Sequence, residues 1–173
     1  MKKKIVLIVF SAILLLPLSA DVFDISLSFG LDSYLWPQNG ISFSYGASVG
    51  LSERCELSVY GISQAVPKPF SNNMLAMDIG VSLLGRRTSG TKIAGSGINM
   101  LLSAGTFYIT ENNGAGILIS FTPLTVGNPI TGRRERMLRT AAGWDFVNNK
   151  LVVSFSLLSL DYYIRGSYRD YDI

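Results

Sequence analysis

From residue 23 onward the chain alternates bulky apolar residues with small polar ones, the period-2 pattern of β-strands whose two faces meet different surroundings. Phe23, Ile25, Leu27, Phe29 and Leu31 share one face, and Asp24, Ser26, Ser28 and Gly30 the other. After a turn-rich stretch, 32–40, Ile41, Phe43, Tyr45, Ala47, Val49 and Leu51 oppose Ser42, Ser44, Gly46, Ser48 and Gly50. Ser52-Glu53-Arg54 reverses the chain into a third strand, with Cys55, Leu57 and Val59 against Glu56, Ser58 and Tyr60. Gly61 and Ile62 break that alternation, and 64–73, with Pro67 and Pro69, reads as a loop. A fourth strand sets Leu75, Met77, Ile79, Val81 and Leu83 against Ala76, Asp78, Gly80 and Ser82, before a turn at 86–91.

The second half repeats the rhythm. A fifth strand is predicted over 93–109, then a turn at Glu111-Asn112-Asn113-Gly114, then a sixth strand over 116–126 that Pro123 weakens because proline cannot donate to a ladder. Residues 127–135 read as a polar connection. A seventh strand places Leu138, Thr140, Ala142, Trp144 and Phe146 against Arg139, Ala141, Gly143 and Asp145. Asn148-Asn149 turns it into an eighth, with Leu151, Val153, Phe155 and Leu157 against Val152, Ser154, Ser156 and Leu158. Residues 159–173 either prolong that strand or supply more, so the count is eight, with ten as the alternative.

The polar face decides the fold class. It is serine, glycine and alanine, where strands facing water carry Lys, Glu, Thr and Gln; small side chains suit a narrow barrel interior. The charges within the strand cores, Asp24, Glu56, Asp78, Arg139 and Asp145, all fall on that face, and no Lys or Arg interrupts the middle of the apolar one. A Lys or Arg at the bilayer midplane costs about 2–4 kcal/mol. In lipid every backbone group must be satisfied internally, so the sheet must close. The expectation is an all-β, closed, antiparallel up-and-down transmembrane barrel with a charged lumen. Counting Arg54 and Arg136 as able to reach inward leaves four acids to three bases, so any conduction would prefer cations.

The strand rhythm, and the short reversal within Gly50-Leu51-Ser52-Glu53-Arg54-Cys55-Glu56-Leu57, resemble the small eight-stranded outer-membrane barrels of the OmpX and OmpW kind, in architecture rather than in residue identity. That resemblance implies residence in the outer membrane, contact with its lipid, and insertion by the barrel-assembly machinery. The ending Asp172-Ile173 departs from it, since many such barrels close on an aromatic residue.

Residues 1–20 differ in kind. Lys2-Lys3-Lys4, the apolar run Ile5–Leu16 and Pro17-Leu18-Ser19-Ala20 have the layout of a secretory signal peptide cleaved after Ala20, which leaves 21–173 as one barrel domain. The apolar run is shorter than the roughly 20 residues of a spanning helix. The segment also changes the charge reading: removing its three lysines from 15 Lys+Arg leaves 12 against 12 Asp+Glu, so nothing favours nucleic acid as a partner.

Chemistry is argued mostly from what the sequence lacks. There is no histidine and one cysteine, Cys55, so the usual general base, zinc ligands and internal disulfides are all missing. No catalytic residue, metal site or cofactor is expected. Arg133-Arg134-Glu135-Arg136 reads as a solvated turn, with contact to anionic headgroups or peptidoglycan as the functional alternative. Function then rests on the barrel: envelope stabilisation, limited small-solute passage, or contact with an extracellular ligand through 32–40, 64–74 and 110–116. The alternative is a soluble exported barrel of lipocalin type, whose apolar face would point inward around an apolar ligand.

Overall fold

The structure, a computed structural model, describes residues 22–36, 40–52, 54–66, 69–70, 73–84, 98–128 and 133–168. The segment 1–20, expected to be a signal peptide, lies outside the described residues, as do residues 93–97 of the predicted fifth strand. Eight strands run in chain order: β1 (Val22–Trp36), β2 (Gly40–Gly50), β3 (Cys55–Val66), β4 (Met74–Leu84), β5 (Ile98–Ile109), β6 (Gly114–Asn128), β7 (Arg133–Asp145) and β8 (Lys150–Tyr168). Each pairs antiparallel with the next, and β8 returns to β1, from Val22 opposite Tyr168 to Trp36 opposite Val153. The result is a closed up-and-down barrel of eight strands, not ten, with β8 absorbing 159–168. We call the end where β1 begins the terminal rim and the other the distal rim.

Two segments differ from the sequence reading. Strand β3 continues to Val66 instead of ending before Gln64, and Gly61 stays in the ladder opposite Tyr45. The Tyr45 ring covers it, its hydroxyl 2.9 Å from where a Cβ on Gly61 would sit, so the glycine that broke the alternation is a seat for an aromatic ring. At 127–135, where a polar connection was expected, β6 reaches Asn128 and β7 starts at Arg133.

The third difference repositions charges. On β6 the buried residues run Leu118, Ser120, Thr122 and then Thr125; on β8 they run Val152, Ser154, Ser156 and then Asp161. On β7 Arg134 and Arg136 are buried, and the inward set resumes at Arg139 and Ala141. Pro123-Leu124, Met137-Leu138 and Leu157-Leu158 thus each place two consecutive residues off the inner face. The pairing of β7 with its neighbours keeps one register on either side of this step, so the three strands change phase together. Proline supplies no ladder donor, and Leu138 sits at φ 58°, in the left-handed region, with the register to both neighbours unchanged.

Connections at the distal rim span 37–39, 67–73, 110–113 and 146–149; those at the terminal rim span 51–54, 85–97 and 129–132. The 85–97 link at the terminal rim is longer than any distal one, so loop length gives no guide to orientation.

Candidate functional site: the sealed lumen

The barrel is apolar outside and polar inside. Phe29, Ile41, Leu75, Ile119, Leu157 and Ile164 are each more than one-third exposed on the outer face, while Ser26, Ser42, Ser48, Ser120 and Ser154 are buried on the inner one. The lumen is also lopsided. β1 and β2 line it with serine and glycine, apart from Asp24 and Asp32 on β1, and the long side chains come from the other strands. At Gly46 a Cβ would lie 2.6 Å from that of Tyr60, so the absent side chain makes room for the tyrosine.

Three layers fill the interior. Nearest the distal rim Ile62, Met74, Ala76, Phe107, Leu118, Ala141 and Val152 form one buried apolar cluster with Tyr60. In the middle Arg139 crosses from β7 to the facing strands. Its Nη2 donates to the Tyr60 hydroxyl and, at 3.1 Å, to Asp78 Oδ2, and its guanidinium carbon stands 4.3 Å from the Tyr60 ring centroid, a cation–π distance. Asp32 is buried at the same level, with Ser44 and Ser156 against its carboxylate.

Towards the terminal rim four charges meet. Arg134 donates from Nη1 to Glu56 Oε2 at 2.8 Å and from Nε to Asp161 Oδ2 at 2.7 Å. Arg136 donates from Nε to Asp161 Oδ2 at 2.7 Å and lies 3.0 Å from Glu56 Oε1. Because β3 and β7 stand opposite each other in an eight-stranded ring, the Arg134–Glu56 pair spans the lumen. Removing one member of such a buried set strands the others' charge, which typically costs about 3–5 kcal/mol.

Asp24, Glu56, Asp78 and Asp145 are buried, and the Arg139 side chain is 16% exposed. Among the described residues the structure joins Asp78 and Arg139 from this set. Glu56 instead pairs with Arg134 and Arg136. Asp145 stands at the distal rim, where its Oδ1 accepts from the amides of Val147, Asn148 and Ala115 and its Oδ2 from the Asn148 side chain, fixing the β7–β8 turn. The run Arg133–Arg136, expected in a solvated turn, is strand, with two of its arginines in the lumen. Arg54 stays exposed.

Sequence reasoning missed Asp32, Arg134 and Asp161, and counted Arg136 only as a strand end. Asp32 was within reach, because it continues the parity of Asp24, Ser26, Ser28 and Gly30. The others lie beyond the phase step, whose one sequence trace is the doubled apolar pairs. Chemically the arrangement engages its charges with one another. Among the described residues no group of three His, Cys, Asp or Glu could hold a metal ion. No family model matches the chain, and neither a curated protein nor a solved structure does.

Proposed function

We propose that the chain is an integral outer-membrane β-barrel, non-enzymatic, exported by its N-terminal segment, whose braced and filled interior suits envelope stabilisation or surface contact better than solute passage. One observation carries this reading: in a closed barrel the outer face carries a continuous belt of bulky apolar residues, and the buried charges and serines face in. Water would disfavour so much exposed apolar surface, and lipid favours it. The height agrees. At about 3.3 Å per residue and a tilt near 40°, the outward apolar run is roughly 20 Å tall on β4, from Leu75 to Leu83, and roughly 28 Å on β6, from Ala115 to Val126; these bracket the ~25 Å apolar band of outer-membrane barrels. Tyr108, Trp144 and Phe146 lie exposed near the distal rim and Tyr162 near the terminal one, where interfacial aromatics belong. The soluble lipocalin-like alternative needs an apolar cavity; here the inward apolar residues pack on one another and the rest of the lumen is polar.

Outer-membrane lipid and the barrel-assembly machinery are the partners this reading requires, and the rim connections are what an extracellular ligand would meet. Cell fractionation with surface proteolysis tests it. The protein should partition with outer membranes, resist extraction by salt, and migrate faster on gels when unheated. Recovery in the soluble periplasmic fraction would favour the ligand carrier. Epitope tags at 70 and 90 report orientation, and labelling of intact cells at 90 alone would place the terminal rim outside.

A further inference from the structure

Near the distal rim the outward positions of β3 are Gly61 and Ser63, flanked by Tyr45 and Phe43 on β2 and by Leu75 on β4. Two small residues between bulky neighbours leave a furrow in the outer wall. The Tyr45 ring lies over Gly61, and Ser63 is buried although its side of the strand faces outward, its Oγ 3.5 Å from the Tyr45 hydroxyl. The connection after β3 completes the cover. Phe70 meets Phe43 edge-on, with ring centroids 5.9 Å apart and planes at 83°, and Phe43 lies 5.9 Å from Tyr45. At Phe70 the β3–β4 connection therefore leans across β3 over the outer wall, away from the lumen.

The backbone is pinned in that position. The Phe70 amide donates to the Gln64 carbonyl at 2.8 Å, and Asn73 Nδ2 donates to the Phe70 carbonyl at 3.1 Å. The Asn73 carbonyl accepts in turn from the amide and the hydroxyl of Thr110. Phe70 also holds φ 58°, in the left-handed region that residues with a side chain rarely adopt. Under all these constraints its ring is still 72% exposed, more than any other large apolar side chain among the described residues. Ile41 and Val66, paired across the β2–β3 ladder, are more than half exposed. Together these residues make one apolar patch rather than a scattered exposed side chain, and such a patch is unfavourable in water.

We infer that the β3–β4 connection is a membrane anchor, with Phe70, Phe43, Ile41 and Val66 seated among lipid acyl chains at their boundary with the headgroups. The inference rests on the membrane reading above and adds a loop residue to the wall that meets lipid. Lipid fits this patch better than a protein does. The patch carries no charge and continues into the exposed outward residues Tyr45, Ala47 and Val59. It ends where the strands end, the level at which aromatic rings gather in membranes. A stable pairing with a second copy would bury roughly 1,200–2,000 Å² in total, far more than four side chains supply, and acyl chains need no matching shape.

The test uses the full chain folded into phosphatidylcholine vesicles whose acyl chains carry bromine near the headgroup end, a contact quencher of indole fluorescence. The chain has two tryptophans, Trp36 and Trp144. Trp36→Phe leaves Trp144, exposed on the outer face, as the reference. Trp36→Phe combined with Trp144→Phe and Phe70→Trp reports the loop. Both proteins should lose emission in brominated relative to ordinary vesicles, and by a comparable fraction. Quenching of Trp144 without quenching in the Phe70→Trp protein overturns the anchor and leaves the membrane reading standing. Aqueous acrylamide then tells a loop in water, which it quenches, from one covered by a second copy, which it does not. Quenching in neither protein overturns both readings. Should the Phe70→Trp protein lack the fast-migrating folded form, a diazirine-bearing phospholipid is photoreacted with the unsubstituted chain. Label on Ile79 of the outer face without label on Phe70 then rejects the anchor.

Discussion

Val81 and Ser82 are neighbours on β4 with opposite surroundings. Val81 is half-exposed on the outer face, and Ser82 is buried, its Oγ accepting from Asn99 Nδ2 at 2.6 Å. Val81→Arg should therefore cost about 2–4 kcal/mol where the face meets the bilayer core, and the folded, fast-migrating form should be lost in lipid vesicles. Were that face in water, the same change would be neutral in a chemical-denaturation midpoint. Ser82→Ala removes one hydrogen bond, about 1 kcal/mol, and should leave assembly intact. Alternation of polarity made this pair legible in the sequence, since a one-residue offset would invert every side chain of the strand. Alternation carries no information on which charges meet. Glu56 was recognisable as inward, but its partners Arg134 and Arg136 come from the facing strand, at a separation no local pattern records.

Individual strands were legible where alternation was unbroken, as on β2, β4 and the upper part of β7. They were illegible where backbone geometry overrides it. The joint phase step through Pro123, Leu138 and Leu157 is the main case. Parity read from Thr140 and Ala142 downward would put Arg134 and Arg136 outside, and the step puts them in. Leu138 holds a left-handed backbone, which costs an ordinary residue on the order of 1 kcal/mol and a β-branched one more. Leu138→Gly should change stability by less than about 1 kcal/mol, because relief of strain offsets lost apolar contact. Leu138→Val should cost about 1–2 kcal/mol through the same backbone angle. Urea midpoints in micelles measure both. Equal tolerance of glycine and valine would mean that the strand passes this point without a left-handed residue.

The whole barrel is filled along its axis. A buried apolar cluster stands near the distal rim, the Arg139–Tyr60–Asp78 contact in the middle, and the four-charge set near the terminal rim. The sequence places Glu56, Tyr60 and Arg139 on the small-residue face, and these three and Leu101 project inward, Tyr60, Leu101 and Glu56 buried. It places Tyr60, Ala76, Ala141 and Val152 of the apolar layer on the inner face but gives no sign that Ile62 and Phe107 join them, because these bulky residues depart from the small-residue character of that face. Planar-bilayer recordings should show no steady conductance above baseline, since eight strands leave little room and here that room is occupied. A stable current would show that the layers part. Cation preference in that current would follow from the acid surplus, whereas anion preference would contradict the charges assigned to the lumen.

The four-charge set draws its members from β3, β7 and β8, so it is not complete until the sheet has curled round and its first and last strands have met. A chain zipped at the wrong register between β1 and β8 would carry Asp161 up or down relative to Arg134 and Arg136 and seal ions away from water without their counterparts. The correct closure is the one that leaves none of these four stranded. In that sense the interior acts as a proofreader of assembly: apolar contact with lipid rewards any insertion, and the ions inside penalise every closure but one.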